Sequence, residues 1–301
     1  MNLRGQLENL HLIPRVTLPL RNNSDIVCFT ETGHLPNNST LSHTALPGFA
    51  CIYSEPRPYD SEHGGVAVYA RANLVPHLRV GRKAPRFGMV WVTLTNPLGG
   101  RDICMCVLYL PHQTSPYYNR EDKSLNFDAH ISEIQSCIAA YAPLNHILLL
   151  GDLNARMGSL DDRPAWDLGE WSPEGALLEP PDAHITRSAP PRVSSDRIDN
   201  AQGRSILELM IACNLIMANG RVPGDEKGSM TFFGPNDASS LIDYFIGTPS
   251  LLLSPSGSPL PGLHLAVPSR DQRLRLPGNR PDSFFDHVPL TLSLPPATTH
   301  S

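Results

Sequence analysis

The segment His146-Ile-Leu-Leu-Leu-Gly-Asp-Leu-Asn154 is an apolar run that ends in a carboxylate and a carboxamide. Side chains alternate along a β-strand, so Asp152 and Asn154 are expected to face one way while Leu153 turns into the core. Such a strand end is suited to handling a phosphate and its metal, because hard divalent cations prefer oxygen ligands. Taken alone, the segment is explained equally well by a strand that ends in an ordinary Asx turn.

Other short β-rich runs, bounded by Gly, Pro, Asn or Asp, predict further strands of a multi-strand core. They cover residues 26–29, 65–69, 90–94, 103–110, 147–150, 241–246 and 288–294. Isoleucines at helical spacing predict a helix over 127–140, which Pro143 stops, and a second helix is expected over about 204–213. Because each helix precedes a strand, two sheets packed face to face with helices outside are favoured.

The composition limits the class of protein. A chain of 301 residues fits one large domain with a sizeable core. Its formal net charge of −5 argues against a protein that coats nucleic acid through bulk electrostatics. Any such contact must come from local basic clusters, for which solvated loops are an equally good interpretation; these are Arg71, Arg79, Arg82, Lys83 and Arg86, and Arg270, Arg273, Arg275 and Arg280.

Cysteine usage and hydropathy indicate an intracellular protein. Six cysteines lack C-x-x-C spacing, which predicts reduced thiols and no zinc site, with Cys104 and Cys106 in the core. The sequence has no signal peptide and no apolar run near ~18 residues. No membrane association is therefore expected.

Polar residues follow one another along the chain in a telling order: Asn2, Glu31, Tyr109, Asp152, Asn154, Thr231, Asp243 and the pair Asp286-His287. The motifs around them are Asn2-Leu-Arg-Gly5, Asp25-Ile-Val-Cys-Phe-Thr-Glu-Thr32, Gly64-Gly-Val-Ala-Val-Tyr69, Tyr109-Leu-Pro-His112, Gly151-Asp-Leu-Asn-Ala-Arg156, Asn219-Gly-Arg221, Met230-Thr-Phe-Phe233, Leu241-Ile-Asp-Tyr-Phe245 and Phe285-Asp-His-Val-Pro-Leu290. In these motifs the chain resembles the endonuclease/exonuclease/phosphatase superfamily. Within it, the chain resembles the apurinic-type endonuclease domain of non-LTR retrotransposons.

The resemblance implies a mixed α/β (α+β) fold of the DNase I-like type. This is a four-layer α/β/β/α sandwich with two packed, mainly antiparallel sheets, in one domain over residues 1–296 with a disordered tail at 297–301. A strand normally precedes the Asn of the first motif, yet the sequence begins at Met1, so a truncated first strand is expected. Pro14 also interrupts the stretch where a first helix is expected.

A histidine beside a phosphate can exchange protons near neutral pH, so His287 is the leading acid/base candidate. By resemblance Asp243 orients His287, and Asp152 positions or deprotonates the attacking water. Asn154 and Tyr109 complete the catalytic set by donating hydrogen bonds. Thr231, Asn154 and Asn2 are the expected phosphate contacts.

Glu31 is the principal metal ligand that the resemblance implies, with Asp286 and Asn2 beside it. Converging carboxylates repel one another unless a cation neutralises them. Mg²⁺ or Mn²⁺ is therefore the predicted cofactor.

The function implied is that of a divalent-metal-dependent DNA endonuclease of retrotransposon type, which nicks target DNA and leaves a 3′-hydroxyl and a 5′-phosphate. DNA is the expected partner, with a reverse-transcriptase region encoded elsewhere in the element, and the expected place of action is the nucleus. Asp199-Asn-Ala-Gln-Gly-Arg-Ser205 and Asn219-Gly-Arg221 also resemble retrotransposon endonucleases, although a helix start and a turn explain them as well.

Two alternatives stay open at this point. One is another phosphodiesterase or phosphatase of the same fold, and the other is a catalytically degenerate retrotransposon remnant. Phe285 stands where the family usually has Ser, and a phenyl ring cannot donate a hydrogen bond to phosphate. Activity is therefore expected to persist in weakened form.

Overall fold

The computed structural model describes residues 22, 24–33, 46–55, 64–96, 100–118, 126–163, 182–269 and 286–294. Asn2, Pro14, Phe285, the expected first strand and the tail at 297–301 lie outside these residues, as does the basic cluster that begins at Arg270.

The strands are β1 (Ile26–Thr30), β2 (Phe49–Glu55), β3 (Val66–Arg71), β4 (Leu78–Ala84), β5 (Met89–Leu94), β6 (Asp102–Tyr109), β7 (Asn145–Asp152), β8 (Ile216–Met217), β9 (Phe232–Phe233), β10 (Ser239–Ser240), β11 (Asp243–Gly247), β12 (His264–Ala266) and β13 (Thr291–Ser293). The α-helices are α1 (Phe127–Tyr141), α2 (Ala183–Ser188), α3 (Ala201–Ala212) and α4 (Pro249–Leu252). Short 3₁₀ turns occupy Val75–His77, Pro85–Phe87 and Pro116–Tyr118.

Two larger sheets organise the described residues. One has six strands in the order β4-β5-β6-β7-β11-β8, and the other has three in the order β1-β3-β2. Only β6 and β7 pair in parallel among these strands, and α1 makes the crossover between them, as a parallel connection requires. The remaining pairs are antiparallel, including the hairpins β9-β10 and β12-β13.

Alternation along β6 separates two hydrophobic cores. Cys104, Cys106 and Leu108 pack against buried residues of α1 and α3, whereas Met105 and Val107 pack against the smaller sheet. The order of layers is therefore helices, large sheet, smaller sheet. A helix layer beyond the smaller sheet stays a prediction.

The helices begin where side-chain caps permit. Asn126 accepts from the backbone N–H of Ala129 at 2.8 Å and so begins α1 at Phe127. Asn200 accepts from Gly203 N at 2.7 Å, and α3 consequently begins at Ala201, three residues earlier than the sequence pattern predicts.

Several strands escape prediction from periodicity. β4 lies at a sheet edge and has the sequence Leu-Arg-Val-Gly-Arg-Lys-Ala. Its polar residues interrupt any apolar run that would predict a strand. Strands β8, β9 and β10 have only two residues each, which is too short for any periodic signal.

The six cysteines all lie in the described part of the chain and form no disulfide there, and Cys104 and Cys106 are buried in the core as predicted. Among the residues that the structure describes, none of the helices has the length and apolar character needed to cross a bilayer.

Candidate active site

Three polar side chains lie side by side where β6 and β7 end and β11 begins. The register pairs Tyr109 with Asp152 and Asp152 with Asp243. Strands in a sheet are about 4.8 Å apart, so residues in register on one face are close neighbours. Antiparallel pairing of β11 with β7 is what brings Asp243 to the end that carries Asp152.

His287 completes this group from outside the large sheet. An isolated β-bridge to Phe232 fixes the backbone of His287. The rings of Phe232 and His287 pack edge to face, with their centroids 5.2 Å apart. Its Nδ1 lies 2.8 Å from Asp243 Oδ2, and its Nε2 lies 3.8 Å from Asp152 Oδ2. All three side chains are buried, so their charges interact with little screening by water.

Burial and mutual charge shift both proton-exchanging groups. Burial alone would lower the pKa of His287, but the carboxylates of Asp243 and Asp152 outweigh it and raise that pKa to about 10. Burial raises the pKa of Asp152 to about 7; His287 opposes this rise, and the charges of Asp243 and Glu31 add to it. These raised pKa values favour a charged imidazolium beside a carboxyl group that keeps its proton to a higher pH than usual.

Glu31 joins the group from the smaller sheet. It follows β1 directly, is buried, and has a left-handed backbone with φ of 48°, a costly conformation for a residue with a Cβ. Tyr109 hydrogen-bonds with Glu31 and with Asn154. Burial, followed by the charges of Glu31 and Asp152, raises the pKa of Tyr109 well above its usual range, so it stays a neutral donor.

Asn154 is held in a fixed geometry after β7. Its φ is 47°, its backbone N–H donates to Asp152 Oδ1 at 2.9 Å, and its Nδ2 donates to Leu110 O at 3.0 Å. The first of these bonds forms an Asx turn. The segment therefore ends in an ordinary Asx turn and also contributes Asp152 and Asn154 to the polar cluster. Leu153 turns into the core as predicted.

Thr231 and Asp286 hold the surrounding backbone. The Thr231 hydroxyl is fully buried and accepts from Ile242 N at 3.2 Å and from Asp243 N at 3.1 Å, which supports the start of β11. The Asp286 carbonyl accepts from Phe233 N at 2.7 Å. A contact of Thr231 with phosphate and a contact of Asp286 with metal stay predictions.

Comparison with known proteins identifies the family. The family model described as Endonuclease/Exonuclease/phosphatase family matches residues 2–270. The chain belongs to the endonuclease/exonuclease/phosphatase family. The family is one of hydrolytic nucleases and phosphatases, and the chain is accordingly assigned to the hydrolases. Comparison with curated protein sequences finds no match.

Several solved structures share the fold of this chain at low sequence identity. A 3′ phosphatase from Neisseria, NExo, bound to a product DNA hairpin, has a TM-score of 0.57 at 15% identity, covering 98% of this chain and 97% of that one. The AP endonuclease LMAP from Leishmania major has 0.57 at 14% identity, covering 97% and 85%. The endonuclease domain of the telomere-specific non-LTR retrotransposon TRAS1 has 0.52 at 14%, covering 98% and 95%. These likenesses confirm the expected DNase I-like arrangement of packed sheets.

The donor set fits the divalent cation on which this family typically depends. Asp152, Asp243 and His287 have ligand atoms within 4.8 Å of one another. Because Nδ1 of His287 is already bonded to Asp243, we interpret these three as a proton-exchanging group. Glu31, whose charge bears on both Asp152 and Tyr109, offers the oxygen ligand that a hard cation prefers.

Asn219 is a further polar residue that holds β11 in place, a role that its sequence motif did not predict. Asn219 is fully buried, accepts from Phe245 N at 2.9 Å and donates from Nδ2 to the Asp243 carbonyl at 3.4 Å. The motif Asn219-Gly-Arg221 includes this residue, but a local turn is enough to explain the motif. Its contact with β11 spans 26 positions of sequence and leaves no periodic signal.

Proposed function

We propose that the chain is a divalent-metal-dependent DNA endonuclease of retrotransposon type, which hydrolyses one phosphodiester bond and so nicks duplex DNA. The observation that carries the proposal is the buried row of Asp243, His287 and Asp152, with Glu31 beside it. His287 Nε2 lies 3.8 Å from Asp152 Oδ2, so the two side chains are close enough to contact the same phosphate group.

Asp152 and His287 have complementary parts in the reaction. The Asp152 carboxylate takes the proton of the attacking water while the oxygen–phosphorus bond forms. His287 donates its Nε2–H to a phosphate oxygen as negative charge grows there, and Asp243 keeps the ring charged and correctly turned. The bond between phosphorus and the 3′ oxygen breaks, and a water molecule protonates the departing oxygen, which leaves a 3′-hydroxyl and a 5′-phosphate; the proton on Asp152 then returns to solvent.

Neutral donors hold the phosphate in place. Tyr109 keeps its proton at all physiological pH values, and Asn154 is locked by its bond to Leu110 O. Glu31, with Asp286 and Asn2, would hold Mg²⁺ or Mn²⁺, which when bound supplies Lewis-acid stabilisation of the phosphoryl oxygens. Preorganised donors of this kind need no rearrangement when charge develops.

A local basic surface supports DNA as the substrate. Arg79 and Lys83 are exposed on β4, and Arg86 is exposed in the turn that follows. The Gly88 carbonyl at the end of that turn accepts from Tyr109 N at 3.0 Å, which brings the turn close to the strand ends that carry the site. Lys83 and Arg86 lie at that end of the sheet, and cations there can contact backbone phosphates that flank the scissile bond; Arg79 lies further along β4, where it pairs with Thr93.

The retrotransposon type is supported by sequence motifs and by the TRAS1 likeness. On this proposal the partner is a reverse-transcriptase region of the same element, and the chain acts on chromosomal DNA in the nucleus. A phosphatase and a degenerate remnant are the alternative outcomes of the test.

The test is the nicking of supercoiled plasmid with Mg²⁺ or with EDTA. Relaxed circles should form only with metal, and His287→Ala and Asp152→Asn should each lower the rate by at least about 10²-fold. His184→Ala and Asp161→Asn change an exposed histidine and an exposed aspartate and should leave the rate unchanged.

Intact plasmid from a folded wild-type protein would overturn the proposal. Release of inorganic phosphate from 3′-phosphorylated DNA would then favour the phosphatase. A folded protein that turns over neither DNA substrate would favour the remnant.

A further inference from the structure

The motif Asp199-Asn-Ala-Gln-Gly-Arg-Ser205 contributes more than a helix start. Gln202, in the first turn of α3, is buried rather than turned to solvent. Its Nε2 donates to Leu153 O at 2.6 Å and to Pro111 O at 3.2 Å, and its Oε1 accepts from Gln113 N at 2.8 Å. One carboxamide thus bonds to two loops that are far from it in sequence.

Both loops carry residues of the candidate active site. Leu153 lies between Asp152 and Asn154, and Pro111 lies two residues after Tyr109. The same loops also bond to each other, because Leu110 N donates to the Asp152 carbonyl at 2.9 Å. The position of the Gln202 side chain therefore bears on the spacing between the strand ends that face the phosphate.

The neighbours of Gln202 bring α3 unusually close to the loop after β7. Asn200 N donates to Arg156 O at 2.9 Å, and the Asn200 side chain accepts from Arg156 N at 3.2 Å. A Cβ on Gly203 would lie 1.9 Å from Arg156 O, so only glycine permits this approach. The close approach is what lets a side chain as short as glutamine reach Leu153 O.

The hydrogen-bonding capacity of the carboxamide matches its surroundings. Two carbonyls face its two N–H groups, and one backbone N–H faces its oxygen. A carboxylate would place an acceptor opposite two carbonyl oxygens, and an apolar side chain would leave all three backbone groups without this partner. The site selects an amide of this length.

We propose that Gln202 is a positioning residue for the hydrolysis, which fixes the Asp152–Asn154 loop against the loop after Tyr109. This inference rests on the proposed endonuclease activity. Displacement of a reacting group by about 1 Å can cost on the order of 10²-fold in rate. Loss of Gln202 should consequently lower kcat more than it lowers the affinity for DNA.

The first experiment compares wild-type protein with Gln202→Met in steady-state nicking with Mg²⁺. The methionine fills similar volume without the amide. We expect kcat to fall by about tenfold to a hundredfold with KM within about twofold, measured well below the thermal midpoint of each protein. Arg204→Ala removes an exposed side chain of the same helix, which pairs with Asp199, and should change neither constant.

A second variant keeps the test decisive if Gln202→Met does not fold. Gln202→Glu preserves shape, and burial raises the pKa of such a carboxyl. Its neutral form at low pH recovers one donor to a carbonyl and keeps the acceptor for Gln113 N. The ratio of its kcat to the wild-type kcat should rise as pH falls from about 8 to about 6, whereas a ratio independent of pH would overturn the positioning role.

The outcomes separate this inference from the function on which it rests. A wild-type protein that does not nick DNA overturns the endonuclease and the positioning role with it. A wild-type protein that nicks, beside a folded Gln202→Met with unchanged kcat, overturns the positioning role alone. A lower thermal midpoint with unchanged kcat also overturns that role, because it shows that Gln202 only stabilises the fold.

Discussion

The charge and the orientation of His287 depend most on the carboxylate of Asp243. Burial alone would leave the ring neutral, and the Asp243 oxygen 2.8 Å from Nδ1 is the first of the charges that keep it protonated. The same bond turns Nε2 toward Asp152. Replacing the Asp243 carboxylate by an amide of the same shape therefore tests the charge and orientation of His287 while the imidazole itself is kept.

Asp243→Asn should lower kcat for nicking by roughly 10²- to 10⁴-fold, because the amide neither holds the charge of His287 nor enforces its orientation. The rate is measured with plasmid and Mg²⁺, and circular dichroism checks the fold. Asp161→Asn, at an exposed site, is the matched control. A rate within threefold of wild type would show that His287 works without this partner.

His130 is a buried histidine of the opposite kind. It is fully buried on α1, its Nδ1 lies 3.1 Å from the Tyr118 hydroxyl, and no carboxylate is among the causes that set its pKa. Burial lowers the pKa of His130 to about 3, although a backbone contact with Phe87 opposes this fall. The ring is therefore neutral in the folded protein and charged in the unfolded chain at mildly acid pH.

Acid should destabilise the fold through His130. An unfolded histidine has a pKa near 6.5, so the stabilisation is fully present above about pH 6.5 and is lost as pH falls toward 3, by up to about 1.4 kcal/mol per unit. Urea unfolding at pH 7, 6 and 5 measures the slope. His130→Gln can still bond to Tyr118 but does not titrate, so its slope should be shallower; equal slopes would contradict the assignment.

Between elements, a fully buried ion pair joins the loop after β7 to the turn after β8. Asp162 accepts from Arg221 at 2.6 and 2.8 Å and also from Met217 N at 2.8 Å, and neither charged side chain is exposed. A buried charge without its partner is costly, whereas the intact pair contributes little net stability over an apolar pair. The two cases predict opposite results for single and double variants.

Arg221→Met should lower the free energy of unfolding by about 3–5 kcal/mol, and adding Asp162→Leu should recover much of the loss. Arg163→Ala breaks a solvent-accessible pair with Asp161 and should cost under about 1 kcal/mol. Chemical unfolding of the wild type, Arg221→Met, Asp162→Leu and the double variant completes the cycle. Strictly additive losses at positions 162 and 221 would mean that the pair is not coupled.

Gly203 marks the contact between α3 and the loop after β7. Alanine in an exposed helix is favoured over glycine by up to about 1 kcal/mol, but here its Cβ would lie 1.9 Å from the Arg156 carbonyl oxygen. Gly203→Ala should therefore destabilise by at least about 1–3 kcal/mol, because the atom it meets is backbone. Thermal unfolding beside Arg204→Ala tests the sign, and a more stable Gly203→Ala would refute the close approach.

Across the molecule, β7 lies between the two hydrophobic cores. Leu148 packs toward the smaller sheet and Leu149 toward α1 and α3, and both are buried. Adjacent residues of one strand thus belong to different cores. If the chain is a single domain, damage to either core should weaken the same cooperative unit.

Leu148→Ala and Leu149→Ala should each lower the free energy of unfolding by about 2–5 kcal/mol while a single transition is kept. Leu144, 79% exposed just before β7, provides Leu144→Ala as a control with almost no effect. Near-ultraviolet and far-ultraviolet dichroism recorded during unfolding give the test. Separate transitions in one variant would split the chain into two units.

Local sequence patterns alone predict several of the strands and helices of this protein and its family. Alternation predicts β7 and turns Leu153 inward, helical spacing predicts α1 from Phe127, and the order of motifs from Glu31 to His287 indicates the family. These features can be predicted from the sequence because each depends on a few neighbouring residues, whose periodicity and polarity indicate which face is buried. Residue types alone also predict that a divalent cation balances the carboxylates.

Long-range packing accounts for the rest. The register that aligns Tyr109, Asp152 and Asp243, the opposite pKa shifts of His287 and His130, and the reach of Gln202 to Leu153 all join residues far apart in sequence. Two histidines with the same side chain differ because one is buried beside carboxylates and the other is not. No local pattern encodes such pairings, since they arise only when separate elements close on one another and exclude water.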